Sequence, residues 1–257
     1  MADRNRLAAV PVDPGRLLPG MSIDCVIIGF DLNDLHILIL KWKELDMWSL
    51  PGGFIQIDED IDTAATRILE DRTGLQLPFL RQFHTFGKVN RRRLDQVLEN
   101  IDASNTEFKE LMPWLKQRFV SIGYLSLVDM RKSHPTPDLF SEQCIWKPIH
   151  ALPELIFDHN TIVKKAEEQI RNQINYLPVG ISLLPPKFTM KDLQQLYESI
   201  LQLKLDRANF QKKMLKLDIL NRHEKLRLGG THKAPYLYSF NQGRYNELLE
   251  KGIGYIG

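Results

Sequence analysis

The apolar positions of this chain change period near its middle. In the first half they come as short, nearly continuous runs. Met21 to Phe30 (MSIDCVIIGF) and Leu35 to Trp42 (LHILILKW) predict two strands, separated by the turn cluster Asp31-Leu32-Asn33-Asp34. Trp48-Ser49-Leu50 leads into the break Pro51-Gly52-Gly53, and FIQIDED follows. From Ile61 to Arg72 the pattern becomes helical. Ile61, Ala64, Ala65, Ile68 and Leu69 keep the 3–4 spacing, and Gly74 offers a C-terminal cap. Leu80 to Phe86 and Phe119 to Asp129 read as further strands, and a last short stretch begins at Trp146. Between them lies Lys88 to Gln117, with Arg91-Arg92-Arg93 and the helically spaced Leu94, Val97, Leu98 and Ile101. It predicts a helical insertion, either a surface elaboration or a ligand lid or dimer element, whose arginine run reads as a solvated loop sooner than as a phosphate site.

In the second half the spacing is helical almost throughout. Ile162, Ala166, Ile170 and Ile174 form one stripe, ended by Pro178 and Gly180. Thr189-Met190-Lys191-Asp192 has the form of a helix start. Met190, Leu193, Leu196, Tyr197, Ile200 and Leu201 then supply an apolar face. Asp206 is placed to cap a third helix with Phe210, Met214 and Leu217 as its buried stripe. Two short strands, near Leu220–Leu228 and Ala234–Phe240, are joined at Gly229-Gly230-Thr231-His232 as a hairpin. Three helices and a basic hairpin are the order of a winged helix-turn-helix.

Composition changes this picture little. The chain has 257 residues, 43% hydrophobic and 26% charged, which suits a globular protein with a real core. No apolar run approaches the roughly 20 residues that span a bilayer. The start, Met1 to Arg6, lacks the apolar core of a signal peptide, so a cytoplasmic protein without a membrane partner is expected. Cys25 and Cys144 have no metal-type spacing and read as reduced thiols.

Charge changes it more. A net charge of +2 argues against a nucleic-acid partner only if it is evenly spread. It is not: Lys187 to Gly257 holds 13 Lys+Arg against 7 Asp+Glu, and the rest holds 21 against 25. An acidic front and a basic tail point to two domains with different partners. The onset of helical spacing after Phe157 divides them as 1–157 and 158–257.

Around the Pro-Gly-Gly break the sequence resembles a known family. Gly53, Glu59, Arg67, Leu69, Gly74 and Leu75 fit the Nudix box, G-x5-E-x7-R-E-U-x-E-E-x-G-U. The fold class this implies is α+β, a Nudix α/β/α sandwich with a mixed β-sheet, followed here by the winged helix. Enzymes of the family cleave nucleoside diphosphate derivatives with Mg²⁺ or Mn²⁺, held by hard oxygen ligands. Those ligands are three glutamates at i, i+3 and i+4, which share a helix face. Here the positions hold Ile68, Asp71 and Arg72: an apolar residue, a shorter carboxylate and a cation. Glu70 cannot substitute, because it points roughly 200° around the helix from Ile68. Glu59 and Arg67 match, and in the family they pair with each other. The expectation is no catalytic residue and no cofactor. The alternative is an active hydrolase, with Glu59 and Asp71 as ligands of Mg²⁺.

A degenerate Nudix domain followed by a winged helix resembles the Nudix-related transcriptional regulators of the NrtR and AraR types. The likeness is carried by QFHTFG (Gln82–Gly87), LPELIFDHNTIV (Leu152–Val163), FTMKDLQQLYESIL (Phe188–Leu201), LDRANFQKKML (Leu205–Leu215) and GGTHKAPYLYSF (Gly229–Phe240). It implies a homodimer that binds double-stranded operator DNA and senses a small-molecule effector, an ADP-ribose-type nucleotide or a sugar. On the third helix, Lys212, Lys213 and Lys216 are candidates for phosphate contacts, and Arg207, Asn209 and Gln211 for base edges. The wing adds Arg222, Lys225, Arg227, His232 and Lys233. Near the box, Lys41, Trp48, Gln56, Arg67, Asp71, His84 and Phe86 are candidate effector contacts, since such a pocket needs polar groups and an aromatic wall. Trp48 and Phe86 serve a core equally well.

Overall fold

The computed structural model describes residues 13–43, 46–76, 79–89, 91, 113–174, 180–226 and 234–251. Most of the 88–117 insertion, the Gly229–Gly230 turn and the side chains of Arg227, His232 and Lys233 lie outside the described residues.

A mixed seven-stranded sheet forms the first half. Its strands are β1 (Leu17–Phe30), β2 (Leu35–Trp42), β3 (Trp48–Ser49), β4 (Gly52–Gln56), β5 (Phe79–Phe86), β6 (Val120–Leu127) and β7 (Ser141–Pro148). The order is β3-β2-β1-β6-β5, with β4 also on β1 and β7 also on β2. β1 runs parallel to β6 and antiparallel to β2 and β4. A central strand covered on both faces must be apolar on both, and Ser22 to Phe30 are all buried. Asp24 is the one charged residue in that stretch.

The pleat divides the core. Ile23, Cys25 and Ile27 turn to one face with Leu38, Leu40, Ile122 and Tyr124. There they meet Ala64, Ala65, Ile68 and Leu69 of α1 (Ile61–Thr73). Gly74 ends α1 at φ +68°, a left-handed cap that glycine adopts without strain. Val26, Ile28 and Phe30 turn to the other face, beneath Ile162, Val163, Ala166 and Ile170 of α2 (His159–Gln173). The result is the α/β/α sandwich expected from the sequence.

The C-terminal unit is built on that second face. Strand β8 (Phe188–Thr189) leads into α3 (Met190–Leu201), whose Thr189 and Asp192 form a reciprocal capping box. α4 (Arg207–Lys216) is capped by Asp206, whose side chain accepts from the Asn209 N–H. β9 (Leu220–Lys225) and β10 (Tyr236–Phe240) pair antiparallel, β10 also pairs with β8, and α5 (Gln242–Lys251) follows. Phe188, Leu193, Leu196, Tyr197, Phe210, Met214 and Tyr238 belong to the same apolar cluster as α2 and the sheet. The helix that the sequence groups with the C-terminal unit, α2, shares its packing between the sheet and α3. Two polar contacts reinforce the junction: Arg171 Nε donates to the Ile200 carbonyl at 3.4 Å, and Ser199 Oγ to the Asn33 carbonyl at 3.2 Å.

Candidate nucleic-acid interface and ligand site

The helix-turn-helix corner is fixed by one carboxylate. Glu198 Oε1 accepts from the Leu205 N–H at 3.0 Å and from Gln194 Nε2, and its other oxygen pairs with Lys204 at 2.9 Å. The Leu205 N–H above all, then Lys204 and Gln194, lower the carboxyl to a pKa of about 2. With Phe210 and Met214 buried below it, α4 turns the rest of its surface outward. Arg207, Asn209, Lys212, Lys213 and Lys216 are exposed, and Gln211 is half-buried. Among the described residues none of the four cations has a carboxylate partner.

On the wing, Arg222 and Lys225 are exposed on β9 and flank the Tyr236 ring of β10, at 4.8 and 5.3 Å from its centroid. The ring attracts both cations without neutralising them. A basic helix beside a basic hairpin can neutralise a row of phosphates.

The box keeps its frame. Arg67 donates from Nε and Nη2 to the two oxygens of Glu59, each at 2.7 Å, and from Nη2 to the Phe54 carbonyl at 3.0 Å. Glu59 also accepts from the Gln56 N–H at 3.2 Å. The Arg67 guanidinium holds the Glu59 carboxyl below its usual range, and Glu59 in turn raises Arg67. This bidentate pair ties α1 to β4.

The metal positions do not fit a hard divalent cation. Ile68 is 3% exposed and packs into the core, where a Cβ at position 53 would lie 2.9 Å from its Cδ1. Gly53 and Ile68 thus fill each other's space. Arg72 folds away to donate to the Thr136 carbonyl at 3.1 Å, leaving Asp71 as the one carboxylate of the three. No group of three or more His, Cys, Asp or Glu able to hold a metal occurs among the described residues.

The candidate effector residues fall into three places. Lys41 and Trp48 are register partners at the β2–β3 edge, where Lys41 pairs with Glu142 at 3.0 Å and Lys147 lies over the Trp48 ring. Gln56, Arg67 and Asp71 belong to the box. His84 and Phe86 are on β5 at the opposite edge, His84 exposed and edge-on to the buried Phe86. The seven are thus spread over three places in the Nudix domain.

The buried charge cluster was not anticipated. Arg91, expected in a solvated loop, has a side chain only 2% exposed. It donates from Nε and Nη2 to both oxygens of Asp158 at 3.0 and 2.9 Å, and from Nη2 to Asp24 at 3.0 Å. Asp24 also accepts from Ser121 Oγ at 2.6 Å and lies 3.4 Å from His159 Nε2. The Leu50 N–H donates to His159 Nδ1 at 2.9 Å, so Nε2 carries the proton that faces Asp24. Burial alone would raise the Asp24 carboxyl; His159, Arg91 and Ser121 outweigh it and hold the group well below the carboxylate range. The sequence did contain a signal, since an aspartate inside MSIDCVIIGF must find a partner. It could not say that the partners stand 67 and 135 residues away.

The fold and these two sites define a class: a Nudix domain whose box departs from the family's three glutamates, joined to a winged helix whose recognition-helix cations have no carboxylate partner among the described residues. Comparison with known proteins identifies the same two domains. The chain belongs to the Nudix family, whose NUDIX domain model matches residues 19–167. The model of the NrtR DNA-binding winged helix domain matches residues 180–240. The chain is 28% identical over 229 residues to the ADPR responsive transcriptional repressor NtrR of Acinetobacter baylyi, covering 86% of this chain and 82% of that protein. It shares its fold with NrtR of Shewanella oneidensis, at TM-score 0.67 and 22% identity over 88% of this chain and 96% of that one. The same protein in complex with a 27mer DNA superposes at TM-score 0.65 and 20% identity, over 88% and 95% of the two chains. No helix among the described residues is long and apolar enough to cross a membrane.

Proposed function

We propose that this chain is a cytoplasmic transcriptional repressor that binds operator DNA as a homodimer and responds to an ADP-ribose-type nucleotide. The observation that carries the reading is the row of cations on α4 and β9 that have no carboxylate partner among the described residues, on a winged helix of the NrtR type. Arg207, Asn209 and Gln211 lie toward the start of α4, where a recognition helix reaches base edges, and Lys212, Lys213 and Lys216 meet phosphates. One winged helix reads one half-site, and a two-fold dimer doubles the contact. The effector is a nucleotide rather than a sugar because the relative of known response answers to ADP-ribose. The Nudix domain senses it without turnover, since Ile68 and Arg72 cannot ligate a metal.

The test is fluorescence anisotropy on the full chain. A duplex selected from a random-sequence pool should bind with an affinity that falls steeply with salt. Saturating ADP-ribose should weaken that binding at least fivefold. Equal affinity for selected and scrambled duplexes at low salt would overturn the DNA reading. An unchanged affinity with ADP-ribose, beside a response to arabinose, would overturn the effector.

A further inference from the structure

The buried cluster joins the strand of the Nudix box to the start of α2. His159 takes the N–H of Leu50, the residue that enters Pro51-Gly52-Gly53. A Cβ on Gly52 would lie 3.0 Å from Asp24 Oδ1, so the box strand rests directly on this carboxylate. That strand is in turn held by Arg67 through the Phe54 carbonyl. On the far side, Asp158 is the N-cap and His159 the first residue of α2, the helix that packs on both the sheet and α3. Arg91 ties the two sides with one guanidinium.

Two features mark this arrangement as poised. Phe157, immediately before the cluster, has φ +58°, a conformation that a bulky L-residue adopts only under constraint. Arg91 Nη1 and Ser22 Oγ are buried without hydrogen-bond partners, two of four such side-chain atoms among the described residues. Ser22 is two residues from Asp24 on the same face of β1 and in register with Ser121. Both atoms belong to groups tied to Asp24, Arg91 by its hydrogen bond and Ser22 by its place on the same strand face, so the network holds unused donor and acceptor capacity.

We infer that the Asp24–Arg91–Asp158–His159 network couples the two domains: it sets the seating of the α2 N-terminus on the sheet and passes a shift of the Leu50–Gly53 segment to the winged helix. Arg91 is a positioning residue that touches neither DNA nor effector. The inference rests on the effector-responsive reading above, and a coupling free energy, not proximity, is what establishes it.

The experiment compares the wild type with Arg91→Lys and Asp158→Asn, all as full chains. Lysine keeps a charge between the carboxylates but lacks the planar fork that spans both. Asparagine removes one charge and leaves the shape. Duplex affinity is measured with and without saturating ADP-ribose, and ADP-ribose affinity with and without saturating duplex. Wild type should show the same ratio in both, on the order of 5–150-fold. In the variants both ratios should fall below about twofold, while each ligand alone binds within about threefold of wild type and thermal unfolding stays cooperative. A folded variant that keeps the wild-type ratio overturns the inference. So does loss of folding in both variants, which would make the network a stability element only. A wild type with no ratio would instead overturn the effector reading, and this inference with it.

Discussion

α1 and α4 are built alike and used differently. Each buries a narrow apolar stripe, Ala64, Ala65, Ile68 and Leu69 in one and Phe210 and Met214 in the other, and each shows cations on the remaining surface. In α1 those cations are consumed internally. Arg67 is bound to Glu59 and the Phe54 carbonyl, and Arg72 to the Thr136 carbonyl. In α4 none of the cations has a carboxylate partner among the described residues. A guanidinium already engaged by protein acceptors gains little from a ligand, whereas a free one gains the full contact. The difference locates the outward-facing chemistry of this chain on α4, although its family signature lies on α1.

The comparison breaks most sharply at Ile68. Restoring the family glutamate with Ile68→Glu puts an unpaired charge into the α1 core, beside Gly53. Stability to urea should fall by about 4 kcal/mol. A variant that unfolds at the wild-type urea concentration and cleaves ADP-ribose with Mg²⁺ would show that the metal site is latent rather than lost.

The next effect belongs to α4. Changing Lys212 and Lys213 together to Ala should cost roughly tenfold in duplex affinity at 0.1 M salt, similarly for all sequences. The slope of log affinity against log salt should become shallower by about 2, one counterion per lost contact. An unchanged slope would move the phosphate contacts to another surface.

A smaller effect tests how the recognition helix is held. Glu198 is depressed to about 2, so its contribution is present above the ordinary glutamate value and is lost as pH falls toward about 2. Glu198→Gln should therefore cost about 1 kcal/mol at pH 7 by thermal unfolding, and variant and wild type should converge near pH 2. A difference that persists in acid would mean that packing, not charge, fixes the corner.

The smallest effect concerns the wing. Tyr236→Ala releases Arg222 and Lys225 from the ring that places them, each such contact contributing about 0.5–1 kcal/mol. Duplex affinity should fall two- to threefold with the salt slope preserved. A changed slope would show that the ring recruits the cations rather than orienting them.

Local pattern carried most of the fold. The β-branched runs, the cap at Gly74, the capping box at Thr189 and the cap at Asp206 each depend on neighbours within a few residues, and each appears where the sequence puts it. That Ile68, Asp71 and Arg72 occupy one face of α1 was likewise legible, because motif spacing on a helix fixes which residues share a face. The cation row on α4 followed from the same periodicity.

What tertiary structure decided is of another kind. Arg91 reads as one of three adjacent arginines in a polar stretch, and only the closure of the sheet against the start of α2 brings it between Asp24 and Asp158. The sharing of α2 between sheet and winged helix, and the scattering of the candidate effector residues to opposite sheet edges, are also products of strand order. The physical reason is range. Helix caps and amphipathic faces are settled by i to i+4 contacts. The buried ion pairs span 67 residues, and no local spacing encodes which distant carboxylate a buried guanidinium will meet.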